Sequence, residues 1–339
     1  MKKVLIILII LFLCGCHNVS ENKETSFEDI GYSKEDIEII NTINNEEIIE
    51  MFKSKYDVKL VQLIHDYDFK QENIEKYIKY LDIFEVDDVV RYVNGDVDMD
   101  EIIELRKNEY YISKNEELYL SCLSEYDSIR DCIEAVNTKT NYPYYTNIVD
   151  TDTSKNYLML INKYHCLSSD YEPDDLVDID PYYGRGQTRA EVYENYKKMA
   201  DDAFELGYDF VICSAYRSYD YQYGLYNKYL NIDEGGQASV DTYSARPGHS
   251  EHQSGLCLDL SDAVYGMDDF GLSDASKWIN ENCYKYGFII RYTEEKEKIT
   301  GYQAEPWQVR YVGDVSIAKD IMDRNITFDE YYACFIENE

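Results

Sequence analysis

The sequence predicts an α+β fold, a mostly antiparallel sheet with flanking helices, preceded by an all-α domain. Three observations predict it. From about residue 27 to 136, apolar residues recur at helical spacing among many acids. Turn formers then crowd Asn141-Tyr142-Pro143-Tyr144 and Asp150-Thr151-Asp152-Thr153-Ser154, marking a change of domain. Beyond them, short apolar runs at 210–213, 256–260, 288–292 and 309–312 read as strands with few helical segments between them.

The chain opens on Met1-Lys2-Lys3, an apolar run from Val4 to Leu13 and Cys14-Gly15-Cys16. A charged start, a short greasy segment and small residues make an export signal. The run is well short of the roughly 18–20 residues that cross a bilayer. Leu13-Cys14-Gly15-Cys16 resembles a bacterial lipoprotein box, which implies cleavage after residue 15 and a lipid on the Cys16 sulfur; a plain secretory signal is the alternative. Residues 16–27 are then expected to be a polar tether. An acidic helical domain is expected over 28–145. Ser33-Lys34-Glu35-Asp36 has the form of a helix start, with Ile37, Ile40 and Ile43 behind it, and a second start falls near Asn45. Faint repetition at about 37 to 41 residues leaves stacked hairpins and an irregular helical array equally open.

The second domain is expected over 150–339. Thr188-Arg189-Ala190-Glu191 reads as a capping box, after which Val192, Tyr196, Met199, Ala203 and Phe204 share one helical face until Gly207. In the strand at 256–260, alternation places Cys257 and Asp259 on the face opposite Leu256, Leu258 and Leu260.

Charge limits the partners. The net charge is -34, and loss of Lys2 and Lys3 with residues 1–15 takes it to -36. The charge argues against nucleic acid as a partner, because phosphate binding needs clustered Lys and Arg. It argues equally against docking on anionic lipid through a basic face. Of nine cysteines, Cys14 leaves with the signal and Cys16 takes lipid, so seven remain, an odd number. Cys122 with Cys132, or Cys213 with Cys257, suits a disulfide; all four also suit buried free thiols.

The chemistry gathers in Ser250-Glu251-His252-Gln253-Ser254-Gly255-Leu256-Cys257-Leu258-Asp259, where a histidine and an aspartate stand seven residues apart around a glycine. Imidazole and carboxylate are both zinc donors, which makes metal-assisted hydrolysis the leading chemistry. His-Glu-x-x-His is absent from the chain. Ser316-Ile317-Ala318-Lys319 fits the Ser-x-x-Lys of serine D,D-peptidases, but so does Ser20-Glu21-Asn22-Lys23, and neither Ser-Asp-Asn nor Lys-Thr-Gly accompanies them.

Four ordered motifs carry a resemblance over residues 157–312, about half of the chain. They are Leu160-Ile161-Asn162-Lys163 with Tyr171-Glu172-Pro173-Asp174-Asp175-Leu176; Ser214-Ala215-Tyr216-Arg217-Ser218 with Gln222; Ser244-Ala245-Arg246-Pro247-Gly248-His249 leading into the His252–Asp259 segment; and Gly301-Tyr302-Gln303-Ala304-Glu305-Pro306-Trp307-Gln308-Val309-Arg310-Tyr311. This stretch resembles the M15 metallopeptidases of the D-alanyl-D-alanine carboxypeptidase type, the VanY-like branch, with its D,D-peptidase/hedgehog-like fold. The resemblance implies that His252 and Asp259 bind one Zn²⁺ ion and that Glu305 is the catalytic base. It implies that Arg217, with Gln222 and Ser250, holds the substrate, a peptidoglycan stem peptide ending in D-Ala-D-Ala. Together with the lipoprotein box, it implies work outside the cytoplasmic membrane by an anchored protein.

One residue departs from the family. The third ligand, a histidine in the family, is Gln308 here. A neutral amide oxygen binds zinc more weakly than imidazole. Three expectations follow: a His252–Asp259–Gln308 site for zinc or another metal, replacement of the missing ligand by nearby His249, or a wall-peptide binding lipoprotein that has kept the pocket and lost the reaction.

Overall fold

The computed structural model describes residues 26–67 and 69–337. The expected signal, Cys16 and most of the tether lie outside them. Among the described residues, no helix is long and apolar enough to cross a membrane.

The chain divides into two compact units, Met1–Ile103 and Glu104–Glu339. The described part of the first is helical. Ser33 starts the helix Lys34–Ile40 with a complete capping box, its side chain taking the Asp36 N–H while Asp36 caps in return. Asn45 caps Glu46–Ser54 by accepting from the N–H groups of Glu47 and Ile48. The apolar faces bury Ile40, Phe52, Leu60, Leu63, Tyr77 and Val89.

The boundary expected near residue 145 is corrected to 103/104. The helices Glu116–Cys122 and Ile129–Asn137 bury Tyr119, Cys132, Ile133 and Val136 in one cluster with Ile326, and Tyr331, Cys334 and Phe335 pack on it. The turn formers at 141–154 therefore mark a loop inside the second unit. Cys122 and Cys132 face each other there, sulfur to sulfur at 3.3 Å, and all seven described cysteines are free thiols.

The second unit holds the sheets. β1 (Val149–Asp150) pairs with β2 (His165–Cys166) in parallel, and β3 (Leu176–Asp178) pairs with β4 (Gln187–Arg189) antiparallel. The main sheet is wholly antiparallel, built from β5 (Val211–Ser214), β6 (Cys257–Ser261), β7 (Phe288–Ile290) and β8 (Gln308–Tyr311) in the order β5-β6-β8-β7. These are the four strands read from the sequence. Leu256, Leu258 and Leu260 enter the core beside Ile212, Phe288 and Val309, and the helix Ala190–Glu205 covers them with Val192, Tyr196, Met199 and Ala203. The expected capping box at its start is corrected. Arg189 occupies the N-cap position with no side-chain cap, because Thr188 is buried in β4 and gives its hydroxyl to the carbonyl of Gly255 at 2.9 Å.

Gly184 touches β5 backbone to backbone. Its φ is +139°, and a Cβ there would lie 2.2 Å from the Ile212 carbonyl oxygen. Gly184→Ala is expected to destabilise the second unit by on the order of 3 kcal/mol, through a strained φ plus overpacking. A urea midpoint equal to that of the unsubstituted protein would contradict this close approach.

Candidate active site

Three local devices converge on one end of the main sheet. The first is the one-turn helix Glu251–Ser254, which ends at Gly255 with φ +67° before the chain enters β6. A side chain at Gly255 would crowd Arg189 and Leu176, so the glycine turns the chain where another residue would strain it. The turn is tied to the loop after β5 in both directions. His252 Nδ1 gives its hydrogen to the Ala215 carbonyl at 2.6 Å, and the Arg217 N–H reaches the His252 carbonyl at 3.2 Å.

The second device is cross-strand register. Asp259 in β6 stands opposite Ser214 on one side and Gln308 on the other. Residues directly opposite share a face of the sheet. The register between β5 and β6 shifts between Ile212 and Ser214, and such an irregularity re-aims a side chain. Here Ser214 Oγ accepts from Arg217 Nη1 at 3.0 Å, and the same nitrogen lies 3.4 Å from Asp259 Oδ2.

The third device is the turn before β8. The Glu305 N–H bonds the Tyr292 carbonyl, and the Gln308 N–H bonds the Glu305 carbonyl, both at 3.0 Å. Glu305 and Gln308 thereby reach the same cavity from one short segment.

All seven residues expected at the site, Arg217, Gln222, Ser250, His252, Asp259, Glu305 and Gln308, line one cleft of about 610 Å³. Tyr229, Tyr243, Tyr292, Tyr302 and Trp307 supply its aromatic walls. His249 does not join them: its Nδ1 is spent on the Asn162 carbonyl at 2.8 Å and its ring stands edge-on to Tyr145. The expectation that it replaces the missing ligand is set aside.

The site's electrostatics suit a cation. With Nδ1 donating to a carbonyl, His252 Nε2 carries the lone pair in the neutral tautomer. It faces Asp259 Oδ2 at 3.2 Å, and both residues are nearly fully buried. His252 Nε2 and Asp259 Oδ1 have no hydrogen-bond partner. Two buried acceptors face to face call for a shared proton or a metal ion. Burial alone would raise the Asp259 pKa, but a protonated His252, Arg217 and Ser214 outweigh it and hold the carboxylate below its ordinary range. Gln308 is buried directly opposite Asp259 on the neighbouring strand and lines the same cleft. Among the described residues, no three His, Cys, Asp or Glu side chains gather as a ligand set, so His252 and Asp259 pair without a third such side chain.

Glu305 is held differently. Burial first, then repulsion from Asp259, raises its carboxyl to about 8, with Arg217 opposing. A carboxyl that titrates near neutrality can take and return a proton. Arg217 Nε and Gln222 Oε1 are buried without partners, while Gln222 Nε2 is anchored to the Ala245 carbonyl at 2.8 Å.

Sequence reasoning missed what lies beneath the cleft. Glu251, Arg291, Arg310 and Asp329 are all buried there and paired with one another. The available signal was an arginine closing an apolar strand, Phe288-Ile289-Ile290-Arg291, since such a buried charge needs partners.

Comparison with known proteins follows this geometry. A family described as VanY, D-alanyl-D-alanine carboxypeptidase, matches residues 185–314. "Putative carboxypeptidase YodJ" of Bacillus subtilis (strain 168) is 40% identical over 52% of this chain and 67% of its own. The bifunctional D-Ala-D-Ala dipeptidase and D-Ala-D-Ala carboxypeptidase VanXYC of Enterococcus gallinarum is 34% identical over 52% of this chain and 94% of its own. Among solved structures, the LdcB LD-carboxypeptidase, described in terms of peptidoglycan recognition, aligns with a TM-score of 0.51 at 37% identity, covering 56% of this chain and 91% of that one.

Proposed function

Because the chain belongs to the VanY family of D-alanyl-D-alanine carboxypeptidases, we propose that it is a zinc-dependent carboxypeptidase that removes the terminal D-alanine from peptidoglycan stem peptides. The observation that carries this reading is the His252 Nε2 to Asp259 Oδ2 approach of 3.2 Å, with Nδ1 already committed to Ala215. It sits in one cleft with Glu305 and Arg217.

His252, Asp259 and Gln308 would hold the ion. Bound zinc supplies Lewis acidity, polarising the scissile carbonyl and acidifying water. The chain's own residues do the rest. Arg217 presents its guanidinium fork to the peptide's terminal carboxylate, which restricts the site to chain ends. The free oxygen of Gln222 and the hydroxyl of Ser250 accept or give neutral hydrogen bonds to the backbone of the bound residue. Glu305 takes the proton of the attacking water and delivers it to the leaving amine nitrogen. The export signal and Cys16 support work outside the cytoplasmic membrane on a lipid anchor.

The deciding experiment measures D-alanine release by the zinc-loaded protein from a pentapeptide ending in D-Ala-D-Ala and from a tetrapeptide ending in a single D-Ala. The tetrapeptide is included because of the likeness to an LD-carboxypeptidase. Release from either supports the enzyme. Tight peptide binding without release from either supports the silent binder instead. Arg217→Ala is expected to raise KM by about 10- to 100-fold for peptides with a free C-terminal carboxylate, the worth of a charge-assisted pair. It should leave the weak binding of C-terminally amidated peptides unchanged; equal losses on both would remove the carboxylate from the argument.

A further inference from the structure

Glu251 precedes His252 and is itself only 2% exposed. One carboxylate oxygen, Oε1, accepts from Arg291 Nε at 2.8 Å and lies 3.7 Å from Arg310 Nε. The other, Oε2, is buried without a partner, and the residue lines the cleft. Arg291 turns its Nη1 to Asp329 Oδ2 at 2.7 Å. Asp329 Oδ1 is capped by Asn162 Nδ2 at 2.7 Å. Arg310 Nη2 bonds the carbonyls of Tyr157 and Met159. Two carboxylates and two guanidinium groups thus cancel beneath the site.

Arg291 is the junction. Its backbone N–H bonds the Gln308 carbonyl at 3.3 Å, the next carbonyl, of Tyr292, holds the Glu305 N–H, and its side chain holds the neighbour of His252. One residue thereby spaces the turn that carries a nitrogen donor from the strand that carries the amide donor.

We propose that Glu251 is a positioning residue for the metal site: clamped by Arg291 and Arg310, it sets the His252 turn against β8. The inference rests on the zinc-dependent reading and deepens it. Partners one shell beyond the ligands orient them, and their loss weakens metal binding. In a site with one neutral amide donor, that loss weighs more.

The test is the Zn²⁺ dissociation constant of the purified protein, measured by competition with a chromophoric chelator and independent of hydrolysis. Glu251→Gln is expected to weaken Zn²⁺ binding by about 10- to 100-fold. Asp329→Asn removes the other carboxylate of Arg291 without touching the cleft. It should lower the thermal midpoint and leave zinc affinity within about threefold, since only partners adjoining the ligands orient them. Unchanged affinity in Glu251→Gln, or equal weakening in both variants, overturns the proposal. If Glu251→Gln does not fold, Glu251→Asp keeps the charge but retracts it from Arg291. Zinc affinity several-fold weaker than wild type is then expected, and unchanged affinity overturns the proposal. A wild-type protein that binds no Zn²⁺ overturns the zinc-dependent reading and this inference together. A wild type that binds and a Glu251→Gln that binds equally well overturns this inference alone.

Discussion

Glu305→Gln is expected to slow D-alanine release by about 10²–10⁴-fold, the usual contribution of a positioned acid–base group. Zinc and peptide affinity should change little, because the amide keeps the shape and Glu305 is not among the donors assigned to the ion. The same substitution should stabilise the metal-free protein at higher pH. The Glu305 carboxyl is raised from an ordinary 4.5 to about 8, chiefly by burial and then by Asp259. The fold therefore favours its protonated form. The stability that this preference contributes is complete below the unfolded pKa of 4.5 and is lost as pH climbs through the folded value near 8. Glutamine does not titrate, so that loss disappears. Thermal midpoints of the metal-free proteins should coincide near pH 4 and separate toward pH 8, with the variant higher. A variant that loses activity and also melts lower at pH 8 would point to a structural role for Glu305.

Gln308→His should tighten zinc binding by about an order of magnitude or more, because imidazole replaces a neutral amide oxygen. The substitution suits the site sterically: the two side chains are similar in size, and position 308 lies directly opposite Asp259. Competition with a chelator reads the change without reference to turnover. An unchanged dissociation constant would mean that the side chain at 308 does not reach the ion. Tighter binding with no gain in hydrolysis would place the limit on catalysis elsewhere, at Glu305 or in the peptide subsite. Tighter binding with faster hydrolysis would identify Gln308 as the residue that tempers this enzyme.

The four main strands were legible because a short antiparallel strand announces itself by alternation and bounding turns. The His252–Asp259 pair was legible from its donor types and spacing, and the other five cleft residues only through the motifs that carry the family resemblance. The offset from His252 to Asp259 is a turn, a left-handed glycine and three strand residues. Such a path can be followed along the chain. The domain boundary could not be, because it depends on what packs against the helices at 104–137. Their partners, Ile326, Tyr331, Cys334 and Phe335, lie far along the sequence, and no local pattern records that pairing. Thr188 failed as a cap for a related reason: its hydroxyl is drawn to Gly255 across the fold, and a tertiary acceptor outcompetes a local one.

The buried ion array also bears on how the protein can be divided. Arg291 and Arg310 lie inside the stretch shared with the family, 185–314. Asn162, Asp329 and the carbonyls of Tyr157 and Met159, which neutralise or cap the array, come from outside it. A fragment trimmed to the shared stretch would leave Arg291 and Arg310 with Glu251 as their one remaining carboxylate, and the uncompensated guanidinium charge in an apolar interior is a state that breaking a buried pair makes costly by roughly 3–5 kcal/mol. The hydrolytic module is therefore not autonomous, and its flanks are part of its electrostatic foundation.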